Sequence, residues 1–200
     1  MNYIARSDIE MAEECFQAAV AIDPDNFWYR FRLATLYALT SREELTIDMY
    51  EKLLKDFPKK SDLYFNLVEL YASQKEFEKA LATISEIETV FGVTESLVMY
   101  RFNLLMHLDR KQEAYKSLEE YNAKYSSPYV LSALAEQYLS EYRDTLALNC
   151  YNEALEMDPE YAPAVIGRAE VMRMTMRYDE YFEYLKDYVS MPSESVSTST

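Results

Sequence analysis

Apolar side chains recur along this chain at helical spacing. Leu33, Ala34 and Tyr37 stand at i, i+1 and i+4; Leu67, Val68 and Tyr71 repeat the pattern, and Leu134, Ala135 and Tyr138 repeat it again. A second stripe of the same period runs Ala147, Tyr151, Ala154 and Leu155, matched by Ala12, Phe16, Ala19 and Val20. Its small alanines allow a neighbouring helix to approach closely. No segment shows the alternation of a strand, so the pattern predicts an all-α protein.

The stripes themselves repeat. From Asp23-Pro24 a step of 34 residues reaches Phe57-Pro58, and a second reaches Phe91-Gly92; a further 67 residues, one repeat of 33 and one of 34, reach Asp158-Pro159. The same stride links Tyr3, Tyr37, Tyr71, Leu105, Tyr138 and Met172. It also links Ala12, Thr46, Ala80, Ala114, Ala147 and Tyr181, and then Phe16, Tyr50, Ile84, Leu118, Tyr151 and Leu185. A fixed period of this length marks stacked supersecondary units. Between the two stripes, Ser7 with Glu10, Ser41 with Glu44 and Ser73 with Glu76 have the S-x-x-E spacing of a helix start. Each period therefore predicts two antiparallel helices joined by a tight turn, with Pro24, Pro58 and Pro159 marking the return to the next pair.

A helix-turn-helix of 34 residues with L-A-x-x-Y in its first helix, A-x-x-x-F/Y-x-x-A in its second and a closing Pro resembles the tetratricopeptide repeat (TPR). RLATLY (32–37), ALAEQY (133–138), ALNCYNEALEMDP (147–159) and MAEECFQAAVAIDP (11–24) carry the likeness. The resemblance implies a right-handed α-solenoid over residues 1–189. Its units are 1–26 (incomplete), 27–60, 61–94, 95–127, 128–161 and 162–189, followed by a disordered polar tail, 190–200. Arg101 and Arg168 depart from the usual Leu, and Tyr181 from the usual small residue.

In this family the first helices line a concave groove that grips a partner peptide or helix. Carried over, the groove residues are Trp28, Phe31 and Thr35, then Asp62, Phe65 and Glu69, then Met99 and Asn103, then Tyr129, Ser132 and Glu136, then Ile166 and Glu170. The resemblance thus implies a protein or peptide partner offering apolar anchors and some basic residues. Chaperone-adaptor TPRs hold a C-terminal carboxylate with Lys, Asn and Arg; here those positions read Phe31, Thr35, Asn66, Ser96 and Tyr100, and only the asparagine matches. Stacked repeats expose apolar faces at uncapped ends. Tyr181, Tyr184 and Tyr188, at i, i+3 and i+7, form a candidate terminal docking face for another unit or a second copy.

Composition narrows the function. Thirty-five acidic against 20 basic residues leave a net charge of −15, which opposes a phosphate backbone and so excludes a nucleic-acid partner. Two glycines cannot build a phosphate-cradling loop. Cys15 and Cys150 lack metal-ligand spacing, the single His107 has no nucleophile beside it in sequence, and adjacent carboxylates such as Glu119-Glu120 point about 100° apart on a helix. The ten methionines read as adaptable core packing. These features predict no catalytic residue, no metal and no cofactor.

No run of about 18 apolar residues reads as a membrane span, and no signal peptide is evident. As written, the chain reads as cytoplasmic, or as an envelope protein if a signal lies upstream. The expected function is a non-catalytic interaction scaffold. The alternatives are a self-association or assembly segment of a larger envelope-attached or multi-domain protein, and an accessory domain of an enzyme whose catalytic part is elsewhere.

Overall fold

The computed structural model describes residues 3–190, with side chains from 8 to 188. It is an all-α solenoid of helical hairpins, with no strand among the described residues. The helices are α1 (Tyr3–Ile22), α2 (Phe27–Leu39), α3 (Glu43–Asp56), α4 (Ser61–Ser73), α5 (Phe77–Phe91), α6 (Glu95–His107), α7 (Lys111–Tyr125), α8 (Pro128–Ser140), α9 (Asp144–Met157), α10 (Ala162–Met174) and α11 (Tyr178–Ser190). Apart from Ser190, which ends α11, the predicted tail lies outside the described residues. The chain forms two compact units that divide within α7, Met1–Ala114 and Tyr115–Thr200.

In the first unit each helix from α1 to α6 packs on the next. The seams are filled by the predicted ladders. Leu33, Ala34 and Tyr37 of α2, Leu67, Val68 and Tyr71 of α4, and Thr46, Tyr50, Leu53, Ala80, Ile84 and Ile87 of the second helices are all buried. The tyrosine rings lie in the seam and their hydroxyls reach the preceding hairpin. Tyr71 donates to Glu51 Oε1, and Tyr37 accepts from Gln17 Nε2 at 3.3 Å. Arg101, the departure in α6, is absorbed by a salt bridge to Glu88 of α5. In the second unit α8 packs on α9 and α10, and α10 packs on both α9 and α11. There Tyr138 donates to Glu119 at 2.8 Å, and the Arg168 guanidinium lies 4.6 Å over the Tyr184 ring.

All five turns inside hairpins are closed in one way. Ser41, Lys75, Asp109, Tyr142 and Met176 take positive φ of 58–62°. The following N–H then donates back five residues, from Arg42 to the Tyr37 carbonyl, Glu76 to Tyr71, Arg110 to Leu105, Arg143 to Tyr138 and Arg177 to Met172, at 2.8–2.9 Å. This is the bond of a Schellman motif, and it satisfies carbonyls that the first helix leaves free.

That closure corrects the predicted S-x-x-E caps. Ser41 is itself the left-handed residue, and Ser73 ends α4 with its hydroxyl donating to the Leu70 carbonyl. Both serines fall too early to cap the next helix, and α3 and α5 start without a side-chain cap bond. Ser7 lies inside α1, which runs unbroken from Tyr3 to Ile22. Side-chain caps occur instead at turns between hairpins, where Asn26, Thr94 and Ser127 accept from N–H groups of α2, α6 and α8. The methionine expectation also needs correction. Among the described residues only Met172 is buried, while Met11, Met157, Met174 and Met176 are exposed.

Candidate functional site

Helix α2 opens with Phe27-Trp28-Tyr29, held in register by Asn26, whose Oδ1 accepts from Trp28 N at 3.0 Å. Such a cap orients the first helical turn. It places Phe27 at the centre of an aromatic cluster. The Phe27 ring meets Trp28 edge-on at 5.2 Å, stacks on Phe31 at 5.5 Å and meets Phe57 edge-on at 5.2 Å. Lys60, at the turn into α4, lays its ammonium 4.6 Å above Phe27 and 5.9 Å above Trp28, within cation–π range. Phe27, Trp28, Phe31, Lys60, Asp62 and Leu63 together line a surface hollow.

Trp28 is 60% exposed in this hollow. A large aromatic surface left in water beside a concave apolar wall is the form an interface anchor takes. Three of the carried-over groove residues, Trp28, Phe31 and Asp62, therefore meet at one place. Thr35 is half-buried and its hydroxyl donates to the Phe31 carbonyl. Further along the first unit, half-buried Phe65 pairs with exposed Tyr100 at 6.5 Å; Met99 is half-buried, and Glu69 and Asn103 are exposed.

In the second unit Tyr129, Glu136 and Ile166 are exposed, Ile166 by 69%, and Glu170 is held by Arg173. That ion pair keeps the Glu170 carboxyl below the ordinary carboxylate value. Ser132 differs from the rest of the set: it is only 3% exposed, so in this arrangement its hydroxyl is closed to a partner. Of the terminal tyrosines, Tyr181, Tyr184 and Tyr188 are half-buried, and Tyr184 is covered by Arg168. The aromatic surface that α11 leaves most open is Phe182, 65% exposed, with Tyr178 one turn before it.

Sequence reasoning missed Phe27, Lys60 and Leu63, and weighed Tyr100 only as a carboxylate-holding position. Phe27 was visible as an aromatic directly beside Trp28. Lys60 was not, because only the turn between α3 and α4 brings it over the rings.

Two of the residues weighed for chemistry, His107 and Cys150, take part in packing. His107 stacks on Phe77 with centroids 5.1 Å apart and planes within 9°. Cys150 is buried, and desolvation pushes its thiol up to about 11, far from a nucleophile's range. Among the described residues no three His, Cys, Asp or Glu side chains are grouped to hold a metal, and no helix is long and apolar enough to cross a membrane.

Comparison with known proteins agrees with this architecture. Tetratricopeptide repeat models match residues 47–89 and 1–26. Cellulose synthase operon protein C of Pseudomonas fluorescens (strain SBW25) is 31% identical over 84 residues, 42% of this chain but only 7% of that protein's length. Three solved structures share the fold. A thermophilic TPR protein of Thermus thermophilus has 24% identity and a TM-score of 0.51, over 84% of this chain and 93% of that one. YrrB, described as a TPR protein with an unusual peptide-binding site, has 15% identity and a TM-score of 0.53, over 92% and 95%. PilF of Pseudomonas aeruginosa has 17% identity and a TM-score of 0.56, over 91% and 83%. With repeat models matching at two places, this chain carries tetratricopeptide repeats, and helical hairpins closed by the same turn recur along the described residues.

Proposed function

We propose that this protein is a non-catalytic scaffold whose first-helix faces seat a segment of a partner protein, with the Trp28–Phe31 hollow as its anchor point. The observation that carries the reading is Trp28 itself, majority-exposed in a wall of aromatic rings. Burying such a side chain stabilises a complex by roughly 2 kcal/mol or more. Phe65 with Tyr100 offers a second apolar contact in the same unit, and Glu69 there, like Glu136 in the second unit, offers charge to basic side chains. Proteins retained on the immobilised chain from a lysate of its source cells test the proposal. Loss of a retained protein in Trp28→Ser and Phe31→Ser, with Glu69→Lys weakening it, supports the reading. Retention indifferent to all three variants places the partner elsewhere.

A second reading is favoured by the likeness to cellulose synthase operon protein C. In it the array serves as an assembly segment within a longer protein tied to a synthase. Co-retention of a synthase subunit, lost on Trp28→Ser, is its test.

A further inference from the structure

The charge of the chain is unevenly placed. Residues 27–60, which carry most of the hollow, hold seven basic against five acidic side chains, a net of +2 in a protein of −15. The other hairpin-length segments in the same register are neutral or negative. At the hollow the positive groups are Lys60 over the rings, Lys59 beside it, and exposed Arg32, one turn along α2 from Trp28 and so on the same face. Among the described residues these three are in no ion pair, whereas Arg30 is spent on Asp56 and Lys52 on Asp48.

The negative group lining the hollow is Asp62, and Asp23 and Asp25 stand in the turn before α2. Asp62 lies in the first turn of α4, where the positive end of the helix offsets its charge. Asp23 accepts a hydrogen bond from Asn26 Nδ2 at 3.1 Å. One cation already stands over these rings, the Lys60 ammonium at 4.6 Å from Phe27 and 5.9 Å from Trp28.

We infer that the hollow takes an apolar side chain of a partner segment flanked by Asp or Glu, the carboxylates pairing with Lys60 and Arg32. This rests on the scaffold reading above and reverses, at this one place, the basic partner that the net charge suggests. An acidic flank gains an unpaired cation held over an apolar surface, where water screens a charge pair less than at an open site. A basic flank would instead meet the like charge of Lys60 and Arg32.

Trp28 is the only tryptophan, so its fluorescence reports the hollow directly. Three synthetic peptides with one Phe-Leu core and Glu/Asp, Gln/Ser or Lys/Arg flanks are titrated against the full chain at low salt. The acidic peptide is expected to shift Trp28 emission with an affinity about tenfold or more above the basic one, falling as salt rises. Lys60→Glu should erase that preference while the chain still unfolds cooperatively, its melting temperature lowered only slightly by the lost cation–π contacts, and Asp62→Asn should strengthen acidic binding. Equal or tighter binding of the basic peptide overturns the charge assignment while leaving the hollow as a binding site. Binding of no peptide, or binding unmoved by Phe31→Ser, overturns the hollow itself. Emission that shifts with protein concentration alone makes a second, acidic copy the occupant and overturns a foreign partner.

Discussion

Gly167 of α10 lies against the ring of Tyr151 of α9 so closely that a Cβ built on it would sit 2.1 Å from the Tyr151 Cζ. The backbone there is ordinary helix, so what the position requires is space. Tyr151 is a rung of the second-helix ladder and is nearly wholly buried, so its ring has little room to withdraw. Gly167→Ala is expected to destabilise the protein by about 1–3 kcal/mol, the cost typical of overpacking, although alanine is the better helix former. In a Tyr151→Leu background the same change should cost much less. A double-mutant cycle by urea unfolding checks this, and additive costs would show that the two residues do not compete for one volume.

The left-handed turn residues point in the opposite direction. Tyr142 holds φ 59° and is 84% exposed, so its side chain contributes little packing while its Cβ strains the turn. Tyr142→Gly is expected to stabilise by about 0.5–1 kcal/mol, since glycine adopts this conformation without a Cβ penalty. Asp109→Gly should act similarly. A lowered urea midpoint in both variants would contradict the strain argument.

The tyrosine ladder makes stability sensitive to alkali. Burial, assisted by the neighbouring Glu141 charge, pushes Tyr115 up to about 12, and burial likewise pushes Tyr151 to about 12. Burial raises Tyr71 and Tyr138 as well, with their Glu51 and Glu119 partners adding to the shift. Because these folded values lie above the ordinary phenol value of 10.0, the unfolded chain loses its protons first. The contribution is whole below about pH 10 and is lost as pH climbs toward 12. The melting temperature should therefore fall steeply over that interval, and the buried phenols should ionise, read near 295 nm, together with unfolding. Phenols titrating fully in a folded chain at pH 10 would contradict it.

The two thiols should separate in the same way. Cys15 is exposed and Cys150 is buried with a raised value. At pH 8 a thiol reagent should modify one cysteine rapidly and the other only in denaturant. Cys15→Ser should remove the rapid phase, and a rapid phase that survives it would place Cys150 within reach of solvent.

Much of the architecture was readable because the repeat forces the same local physics at every stride. Leu67, Val68 and Tyr71 had to be core, since a helix with that stripe must bury it. The turns were less readable. Ser41 and Ser73 have cap-like spacing, but a helix end can be closed by side chain or by backbone, and the sequence does not say which. The choice appears only when the Arg42 and Glu76 N–H groups are seen bonding back to Tyr37 and Tyr71. The candidate site was half legible. Trp28 and Phe31 follow from register, but whether each ring faces a seam or water depends on neighbours from other helices.

Periodicity alone determined that this chain is helical, that its helices pair at a 34-residue stride and which side chains fill the seams, because burial of a stripe is dictated by residues of one helix. Tertiary structure decided the rest. It buried Ser132 while exposing Ile166, covered Tyr184 with Arg168, and laid Lys60 across Phe27 and Trp28. Those outcomes depend on distances between residues far apart in the chain, and the hydrophobic effect that gathers them has no direction of its own.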